Sequence, residues 1–328
     1  MKKKIAVIGA GLSGVTVVNR MKEKFDIEIF EKSRGVGGRM STRKEIPYIF
    51  DHGAQFFRIK SIEFKNFVSD LFSKNIIQPW EFKLAHFTGN KLKKIKSIKN
   101  IDKFYVGVPN MDSIVKYISR NYYVNLNTKI KKLMINNYKW YLLDQNKKSH
   151  GPYDWIILSL PAKQSLELLT KNVSFFSLVE KIKMKSCFSL MVGISDSLCL
   201  GYDAALIENR DIAWLAINNS KPLRTKKYCL VVNSSFEFAD KNINSPKDEV
   251  LKHLLDVTSR LINYDLSNVS MAKLHQWMYV EAKNSPIENY FIDHEKKIAV
   301  CGDWLINSRV EGAFVSANEL SKEIIKVE

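Results

Sequence analysis

Three glycines near the amino terminus have the spacing of a phosphate-binding turn. Gly9, Gly11 and Gly14 follow a short apolar run and precede a helical pattern. The first permits a tight turn, the second lets the backbone approach a pyrophosphate, and the third lets the helix pack closely on the strand. The amino terminus of that helix attracts negative charge. Glu31 ends the next strand pattern, where a carboxylate can accept hydrogen bonds from ribose hydroxyls. Together these residues predict a dinucleotide-binding site.

A second glycine-rich segment, residues 35–39 (GVGGR), follows this acid. Its Gly37–Gly38 doublet allows another close approach of the backbone. The guanidinium of Arg39 offers a rigid set of donors that can neutralise phosphate. The segment therefore predicts a second contact with the same cofactor.

These two motifs resemble those of the flavin-dependent amine oxidase superfamily, whose members carry G-x-G-x-x-G, a distal glutamate and then GGR. Residues 51–56 (DHGAQF) look like the superfamily loop beside the flavin, and residues 301–313 (CGDWLINSRVEGA) look like its carboxyl-terminal GD element and helix start. The similarity is greatest to the renalase type and covers nearly the whole chain, although the middle matches by pattern and spacing only. The resemblance implies FAD, bound non-covalently because no cysteine stands where an attachment is expected.

The same resemblance implies roles for the carboxyl-terminal motif. Asp303 would bond the ribityl chain, and the helix beginning near Gly312 would point its amino terminus at the flavin pyrimidine oxygen. A positive helix end stabilises negative charge on that side of reduced flavin. The cofactor-binding set implied in this way is Gly9, Gly11, Ser13, Gly14, Glu31, Lys32, Gly38, Arg39, Gly53, Ala54, Gln55, Ile130, Gly302, Asp303, Gly312 and Ala313.

Gln55 and Trp304 are the candidate catalytic-site residues. Gln55 either orders the substrate or the flavin edge, or makes a buried hydrogen bond within its loop. Trp304 follows the GD pair directly, and we expect it to wall the substrate pocket. Trp214, His275 and Trp277 come from a β-rich region that should roof the flavin, where a flat ring can stack on aromatic side chains. Taken singly, each of these residues favours a core position over a pocket position, because tryptophans are highly buried on average.

The reaction that the resemblance implies is oxidation of the 2- or 6-dihydro isomers of NAD(P)H to NAD(P)+, with oxygen as electron acceptor and hydrogen peroxide as product. Hydride loss from a dihydropyridine creates an aromatic pyridinium, so no general base is required, and the cofactor supplies the chemistry. The sequence offers no Ser/His/Asp grouping that would indicate a different reaction. For His52 in the DHGAQF motif, a structural role is favoured over a catalytic one. The prediction is an FAD-dependent oxidase with a small-molecule substrate.

Two alternatives stay open. An amine oxidase, or a related flavin oxidoreductase, could use the same flavin domain, although an amine favours an aromatic cage in neutral or acidic surroundings. A nucleic-acid-binding protein could use the net charge of +17, which comes from 51 basic and 34 acidic residues. The densest basic run, residues 91–99 (KLKKIKSIK), has no interleaved aromatic platform and belongs to no named nucleic-acid module. We therefore expect a solvated surface and no nucleic-acid partner.

The amino-acid composition indicates which broad class of protein the chain belongs to. Of the 328 residues, 45% are hydrophobic and 26% are charged, as in a folded globular protein, and no apolar run is long enough for a transmembrane helix. Four cysteines without a CxxC pair disfavour a disulfide framework and a zinc site, so no metal is expected. The lysine-rich start lacks a signal-peptide cleavage site. We expect a cytoplasmic protein that does not bind membranes.

The element pattern predicts an α/β fold. Residues 4–9, 13–24 and 26–31 form a βαβ unit that opens the parallel sheet of a Rossmann-like FAD-binding domain. Strand patterns at 186–235 predict an antiparallel sheet in an inserted α+β substrate domain. Helices are expected at 61–78, 111–120, 162–170, 246–262 and 311–326. We assign residues 1–60, 104–165 and 290–328 to the FAD-binding domain and residues 61–103 and 166–289 to the substrate domain.

Overall fold

The computed structural model describes residues 1–195, 198–208 and 211–328. Its strands are β1 (Lys4–Ile8), β2 (Asp26–Phe30), β3 (Arg43–Glu45), β4 (Tyr48–Phe50), β5 (Ile77–Pro79), β6 (Phe82–Thr88), β7 (Lys91–Ile98), β8 (Tyr105–Gly107), β9 (Val124–Asn125), β10 (Ile130–Asn136), β11 (Lys139–Asp144), β12 (Ser149–Tyr153), β13 (Trp155–Leu158), β14 (Met184–Ile194), β15 (Ala204–Glu208), β16 (Ile212–Ile217), β17 (Tyr228–Ser234), β18 (Met271–Ala282), β19 (Phe291–Asp293) and β20 (Ile298–Val300). Its helices are α1 (Leu12–Met21), α2 (Ile62–Ser73), α3 (Ser113–Ser119), α4 (Ala162–Leu166), α5 (Phe176–Glu180), α6 (Phe236–Lys241), α7 (Lys247–Ile262) and α8 (Val310–Val327).

One sheet carries the glycine turn. It has six strands in the order β19-β20-β13-β1-β2-β9, all parallel except β19, which runs antiparallel to β20. Helices α1 and α8 pack on one face, while α4, α5 and the small sheet β10–β11–β12 cover the other. Burial on both faces explains why β1 and β13 are continuous apolar runs. The predicted βαβ unit and parallel sheet are confirmed, and β1 and β2 end at the same sheet edge, next to Gly9 and Glu31.

The second sheet has seven strands in the order β18-β14-β17-β16-β15-β6-β7. It is antiparallel as predicted, except that β6 and β15 are parallel. Between β6 and β15 the chain passes through β9 and β13 of the first sheet and returns to the second sheet as β14, so no hairpin connects β6 with β15. Helices α6 and α7 cover one face, and the other face packs on residues 48–57. The bounds of the twelve-residue strand β18 were not predicted, although His275 and Trp277 were placed in a β-rich region, because its side chains are mostly half-buried and lack a clear apolar alternation.

The strands of each sheet fall within the residue ranges of only one of the two predicted domains. All six strands of the first sheet lie within residues 1–60, 104–165 and 290–328, and all seven of the second lie within residues 61–103 and 166–289. The division into an FAD-binding domain and a substrate domain stays a prediction, which these positions fit.

Helix ends differ from the predicted ones where apolar residues continue past the helix. Residues 61–78 were expected to be helical, but α2 ends at Ser73, Asn75 turns with a φ of 54°, and the apolar Ile77 opens β5. Likewise α4 ends at Leu166 rather than at residue 170. Among the described residues, no helix is both long and apolar enough to cross a membrane.

The basic run at 91–99 forms the exposed edge strand β7. Its apolar residues Leu92 and Ile95 are 49% and 45% exposed, whereas Ile98 at the end of the strand is buried. Lysines on an exposed edge strand discourage pairing with another chain. This position agrees with a solvated role for the run.

Candidate active site

The glycine turn after β1 combines a closely packed position with an open one. A Cβ at Gly14 would lie 2.0 Å from Gly9 O, so only glycine lets α1 pack against the end of β1. A Cβ at Gly11 would meet nothing within 4 Å, although Gly11 directly precedes the first turn of α1. The amide groups of a first helical turn have no intrahelical partner. Here they border an open space that suits a pyrophosphate.

Glu31 is held beside this turn by two backbone amides. Its Oε2 accepts a hydrogen bond from Ala10 N–H at 2.9 Å, and its Oε1 accepts one from Ser33 N–H at 2.8 Å. Each oxygen keeps a lone pair for a further donor, such as a ribose hydroxyl. Lys32 is exposed beside it, whereas the side chain of Ile130 lies in the core, so only the main chain of Ile130 could contact a cofactor.

The second glycine segment crosses over the start of α1. Gly37 N–H donates to Ala10 O at 3.0 Å. Gly38 has a φ of 54°, a conformation that favours glycine, and a Cβ there would lie 3.3 Å from Gly11 Cα. The two glycine segments therefore approach each other, as expected if both face one ligand.

Arg39 connects three of the predicted motifs. It pairs with Asp303 of the GD element and donates to Val280 O at 3.0 Å. Its own carbonyl accepts a bond from Ala54 N–H, in the DHGAQF loop, at 2.8 Å. The guanidinium keeps further donors. Its contact with phosphate stays a prediction.

The amino termini of α1 and α8 lie next to each other. Ser13 Oγ, in the first turn of α1, donates to Ala313 O in the first turn of α8 at 2.9 Å. Gly312 permits a close approach of the preceding turn, because a Cβ there would lie 2.6 Å from Asn307 Oδ1. Two positive helix ends therefore border one region, which suits a ligand with two separate sites of negative charge.

The DHGAQF loop is held by a buried cluster of charges. Asp51 accepts hydrogen bonds from Arg224 at 2.7 and 3.0 Å, Lys221 Nζ lies 3.4 Å from the same carboxylate oxygen, and all three side chains are fully buried. Lys221 also donates to Gln55 Oε1 at 3.2 Å, and Gln55 Nε2 donates to Gly53 O at 3.1 Å. These contacts match the second of the two roles expected for Gln55, a buried hydrogen bond within its loop.

Sequence reasoning missed Lys221 and Arg224, because both lie in the connection between β16 and β17, outside any motif or periodic pattern. Burial alone would raise the pKa of Asp51, but the attraction of the two cations outweighs burial and lowers the pKa to about 2. Burial lowers the pKa of Lys221 to about 8, although Asp51 opposes that shift. At pH 7 the cluster therefore carries an excess of positive charge.

His52, His275 and Trp277 form an aromatic cluster between the loop and β18. The centroid of the His52 ring lies 4.8 Å from that of His275 and 5.2 Å from that of Trp277, and Trp277 Nε1 donates to His52 O at 2.9 Å. Burial, with repulsion from His275, lowers the pKa of His52 to about 3. Burial also lowers the pKa of His275 to about 4. Both imidazoles are therefore neutral at physiological pH.

The two remaining candidate tryptophans have different positions. Trp214 faces the loop, with its ring centroid 5.8 Å from that of Phe56. Trp304 is fully buried, donates from Nε1 to Leu160 O at 3.0 Å, and packs in the core beneath the first sheet. A Cβ at Gly302 would lie 2.7 Å from Trp304 Nε1, so the GD turn itself presses on the indole. This fully buried position agrees with core packing, and a place for Trp304 in the pocket wall stays a prediction.

In the described part of the chain, no cluster of histidine, cysteine, aspartate or glutamate side chains is suited to a metal ion. Cys187, Cys229 and Cys301 are buried. Burial raises the pKa of the first two thiols to about 11 and of the third to about 12, so they stay protonated.

Together these features fit a flavin-bearing dinucleotide. Glu31 can bind a ribose, the first turn of α1 can bind a pyrophosphate, and Asp303 with the first turn of α8 can bind the flavin portion. The open space beside Gly11 and the close approach of Gly38 are the structural observations that support this fit.

The sequence is similar to renalase along nearly the whole chain, and to other proteins over shorter segments. Residues 7–71 match the NAD(P)-binding Rossmann-like domain family. Renalase from Mus musculus is 21% identical over 97% of this chain and 98% of its own length. Prenylcysteine oxidase 1 from Bos taurus is 37% identical, but over 21% of this chain and 14% of its own length.

Solved structures share the fold. A candidate protoporphyrinogen oxidase from Exiguobacterium sp. 255-15 superposes with a TM-score of 0.81 at 10% identity, with 100% of each chain covered. Wild-type putrescine oxidase bound to putrescine superposes with a TM-score of 0.69 at 11% identity, with 99% of each chain covered. The chain thus resembles renalase in sequence over nearly its whole length and shares the fold of these solved oxidases.

Proposed function

We propose that the protein is an FAD-dependent oxidase that takes a hydride from the 2- or 6-dihydro isomers of NADH or NADPH. In the balanced reaction, the dihydronicotinamide dinucleotide, one O2 and one proton yield NAD(P)+ and hydrogen peroxide. The observation that carries the proposal is the similarity to mouse renalase, which extends over 97% of the chain rather than over the nucleotide-binding segment alone.

FAD rather than FMN is proposed because the chain offers a site for the adenosine half. Glu31 lies at the end of β2 with lone pairs available for ribose, and α1 begins beside it. FMN has no adenosine to occupy this place. Non-covalent binding is proposed because Cys187, Cys229 and Cys301 are buried and protonated, and the exposed Cys199 stands in none of the flavin motifs.

The charges around the DHGAQF loop favour this substrate over an amine. Asp51 is outnumbered by Lys221 and Arg224, and the nearby His52 and His275 are neutral at pH 7. An excess of buried positive charge repels an ammonium ion and attracts a molecule that carries phosphates. The amine alternative has in its favour the shared fold of putrescine oxidase and the neutral aromatic cluster of His52, His275 and Trp277.

Orientation is the main task of the protein side chains in this reaction. Bound FAD would supply the hydride acceptor. The loop 51–57 and the facing strands β16 and β18 would exclude water and hold the nicotinamide ring in place. No side chain needs to remove a proton, so neutral His52 and His275 fit the pocket as flat, uncharged surfaces.

The proposal is tested on the purified protein in two steps. Acid release followed by chromatography should give free FAD, and no flavin should stay with the polypeptide. In an oxygen electrode, a mixture of dihydro isomers from borohydride reduction of NAD+ should then consume oxygen, with one NAD+ and one peroxide formed per O2. Ordinary 1,4-NADH is the matched control and should be turned over far more slowly. Oxygen uptake with putrescine, and none with the isomers, would instead support an amine oxidase.

A further inference from the structure

A row of side chains crosses the sheet face that covers the DHGAQF loop. Trp214 on β16, Asn233 on β17, Ser189 on β14 and His275 on β18 are direct register partners from one strand to the next. Paired residues on adjacent strands point to the same face, so these side chains lie side by side. The 5.8 Å separation of the Trp214 and Phe56 rings shows that this face is the one directed at the loop.

Three neighbours in this row each hold a buried polar atom that has no hydrogen-bond partner among the described residues. These atoms are Trp214 Nε1, Asn233 Oδ1 and Ser189 Oγ, and Ser189 is fully buried. A fourth such atom, His52 Nδ1, lies in the loop opposite. Buried polar groups in folded proteins are almost always hydrogen-bonded. Adjacent exceptions on the sheet face that covers the DHGAQF loop therefore indicate where a polar ligand binds.

The surroundings show that these polar residues are not part of a general polar surface. The next positions on the same face, Val231 on β17 and Met191 on β14, are buried and apolar. Polar groups in such a place are costly unless a ligand satisfies them. The row is thus a small polar site on an apolar face.

The chemistry of the row defines the ligand group. An indole Nε1 only donates, the side-chain oxygen of asparagine only accepts, and a serine hydroxyl does both. A primary carboxamide presents one acceptor oxygen and an N–H2 donor on the same carbon. Neighbouring strands lie about 4.8 Å apart, so Trp214 and Asn233 can reach the oxygen and the nitrogen of one planar amide.

We propose that Trp214 and Asn233 recognise the carboxamide of the nicotinamide ring. Trp214 Nε1–H donates to the amide oxygen, Asn233 Oδ1 accepts from the amide nitrogen, and Ser189 lies beside Asn233 for the second amide hydrogen. This inference deepens the proposed function and rests on it for the identity of the ring. Anchoring the substituent at position 3 fixes the rotation of the ring in its plane, and so determines which ring carbon presents its hydride.

The test compares two ligands that differ at a single group. NAD+ carries the carboxamide, whereas its 3-acetylpyridine analogue keeps the carbonyl and replaces the N–H2 by a methyl group. Both are titrated into the oxidised holoprotein by calorimetry and by perturbation of the flavin spectrum. The wild-type protein should bind NAD+ about tenfold more tightly, because the analogue leaves Asn233 Oδ1 unsatisfied.

The variants separate the two contacts. Asn233→Leu should abolish the preference for NAD+, whereas Trp214→Phe should weaken both ligands about equally and keep the preference, since both ligands retain the carbonyl. Tyr228→Phe is the matched control. It removes another buried, unpartnered hydroxyl from the same strand β17, but on the opposite face, and should change neither affinity.

Equal binding of the two ligands by wild type would overturn this inference even if Asn233→Leu failed to fold. A preference that survives in well-folded Asn233→Leu would also overturn it. The proposed function is judged separately, by oxygen uptake with the dihydro isomers. Turnover of the isomers without a preference for NAD+ would refute only the assignment of Trp214 and Asn233 to carboxamide recognition. A preference for NAD+ without turnover would refute only the proposed reaction.

Discussion

Replacing Asp51 by asparagine is expected to destabilise the protein strongly, because it leaves two buried cations without an anion. Asp51 accepts bonds from Arg224 at 2.7 and 3.0 Å and lies 3.4 Å from Lys221 Nζ, and none of the three side chains is exposed. Breaking a buried ion pair by removing one partner costs about 3–5 kcal/mol. Because the pKa of Lys221 is already near 8, Lys221 can release its proton and limit the loss. We therefore expect the free energy of unfolding at pH 7 to fall by about 3 kcal/mol.

The assay is urea unfolding followed by near-ultraviolet circular dichroism, with loss of bound flavin as a second signal. The double variant Asp51→Asn/Lys221→Met has the same net charge in the cluster as the wild type, so it should recover part of the loss. Glu237→Gln is the control, since it removes an exposed partner of Lys241 and should change stability by less than about 1 kcal/mol. If Asp51→Asn were no less stable than Glu237→Gln, the role assigned to the cluster would be refuted.

The same carboxylate also determines an acid dependence. The pKa of Asp51 is lowered from 3.8 to about 2 in the folded protein, so its contribution to stability is present above pH 4 and is lost as the pH falls towards 2. The difference corresponds to about 2 kcal/mol. Between pH 4 and 2, Asp51→Asn should therefore lose less stability than the wild type does.

Three further predictions concern the cofactor turn, the pocket and the core. Gly14→Ala should lose both stability and flavin, whereas Gly11→Ala should keep its stability but bind flavin more weakly. Gly35→Ala is the control, because its Cβ also meets nothing within 4 Å, and it should change neither property. Thermal unfolding measures stability and the flavin-to-protein absorbance ratio measures flavin retention; equal retention by Gly11→Ala and Gly35→Ala would count against a pyrophosphate at Gly11. Because burial lowers the pKa of His52 to about 3, the rate of anaerobic flavin reduction should show no step from this histidine between pH 5.5 and 8, and a step that disappears in His52→Gln would contradict its neutrality. Trp304→Phe removes the hydrogen bond to the Leu160 carbonyl, so it should lower the melting temperature and leave KM unchanged. A raised KM in a stably folded variant would indicate that Trp304 contacts the substrate.

The first domain could be predicted closely because its determinants are local. The turn at Gly9, the helix behind it and the acid at Glu31 lie within one continuous βαβ segment, and the structure brings them together as expected. The parallel pairing of β6 with β15 could not be predicted, because it depends on how the chain returns from the other sheet.

The substrate side was less predictable because its residues come from separate strands. Lys221 and Arg224 reach Asp51 from a loop without a motif, across about 170 positions. The positions of Asn233 and Ser189 beside Trp214 could not be predicted from the sequence, because they depend on the register of β14, β16 and β17. Trp304 stands next to the GD motif in the sequence, but that proximity does not determine where its ring points.

The central claim is tested most directly by an anaerobic titration of the yellow holoprotein with the 2- and 6-dihydro isomers of NADH. The account predicts that the flavin absorbance near 450 nm bleaches at about one equivalent of isomer, and that the colour returns with one equivalent of peroxide when air is admitted. A flavin that stays oxidised in an excess of both isomers, in a protein that retains FAD, would contradict it.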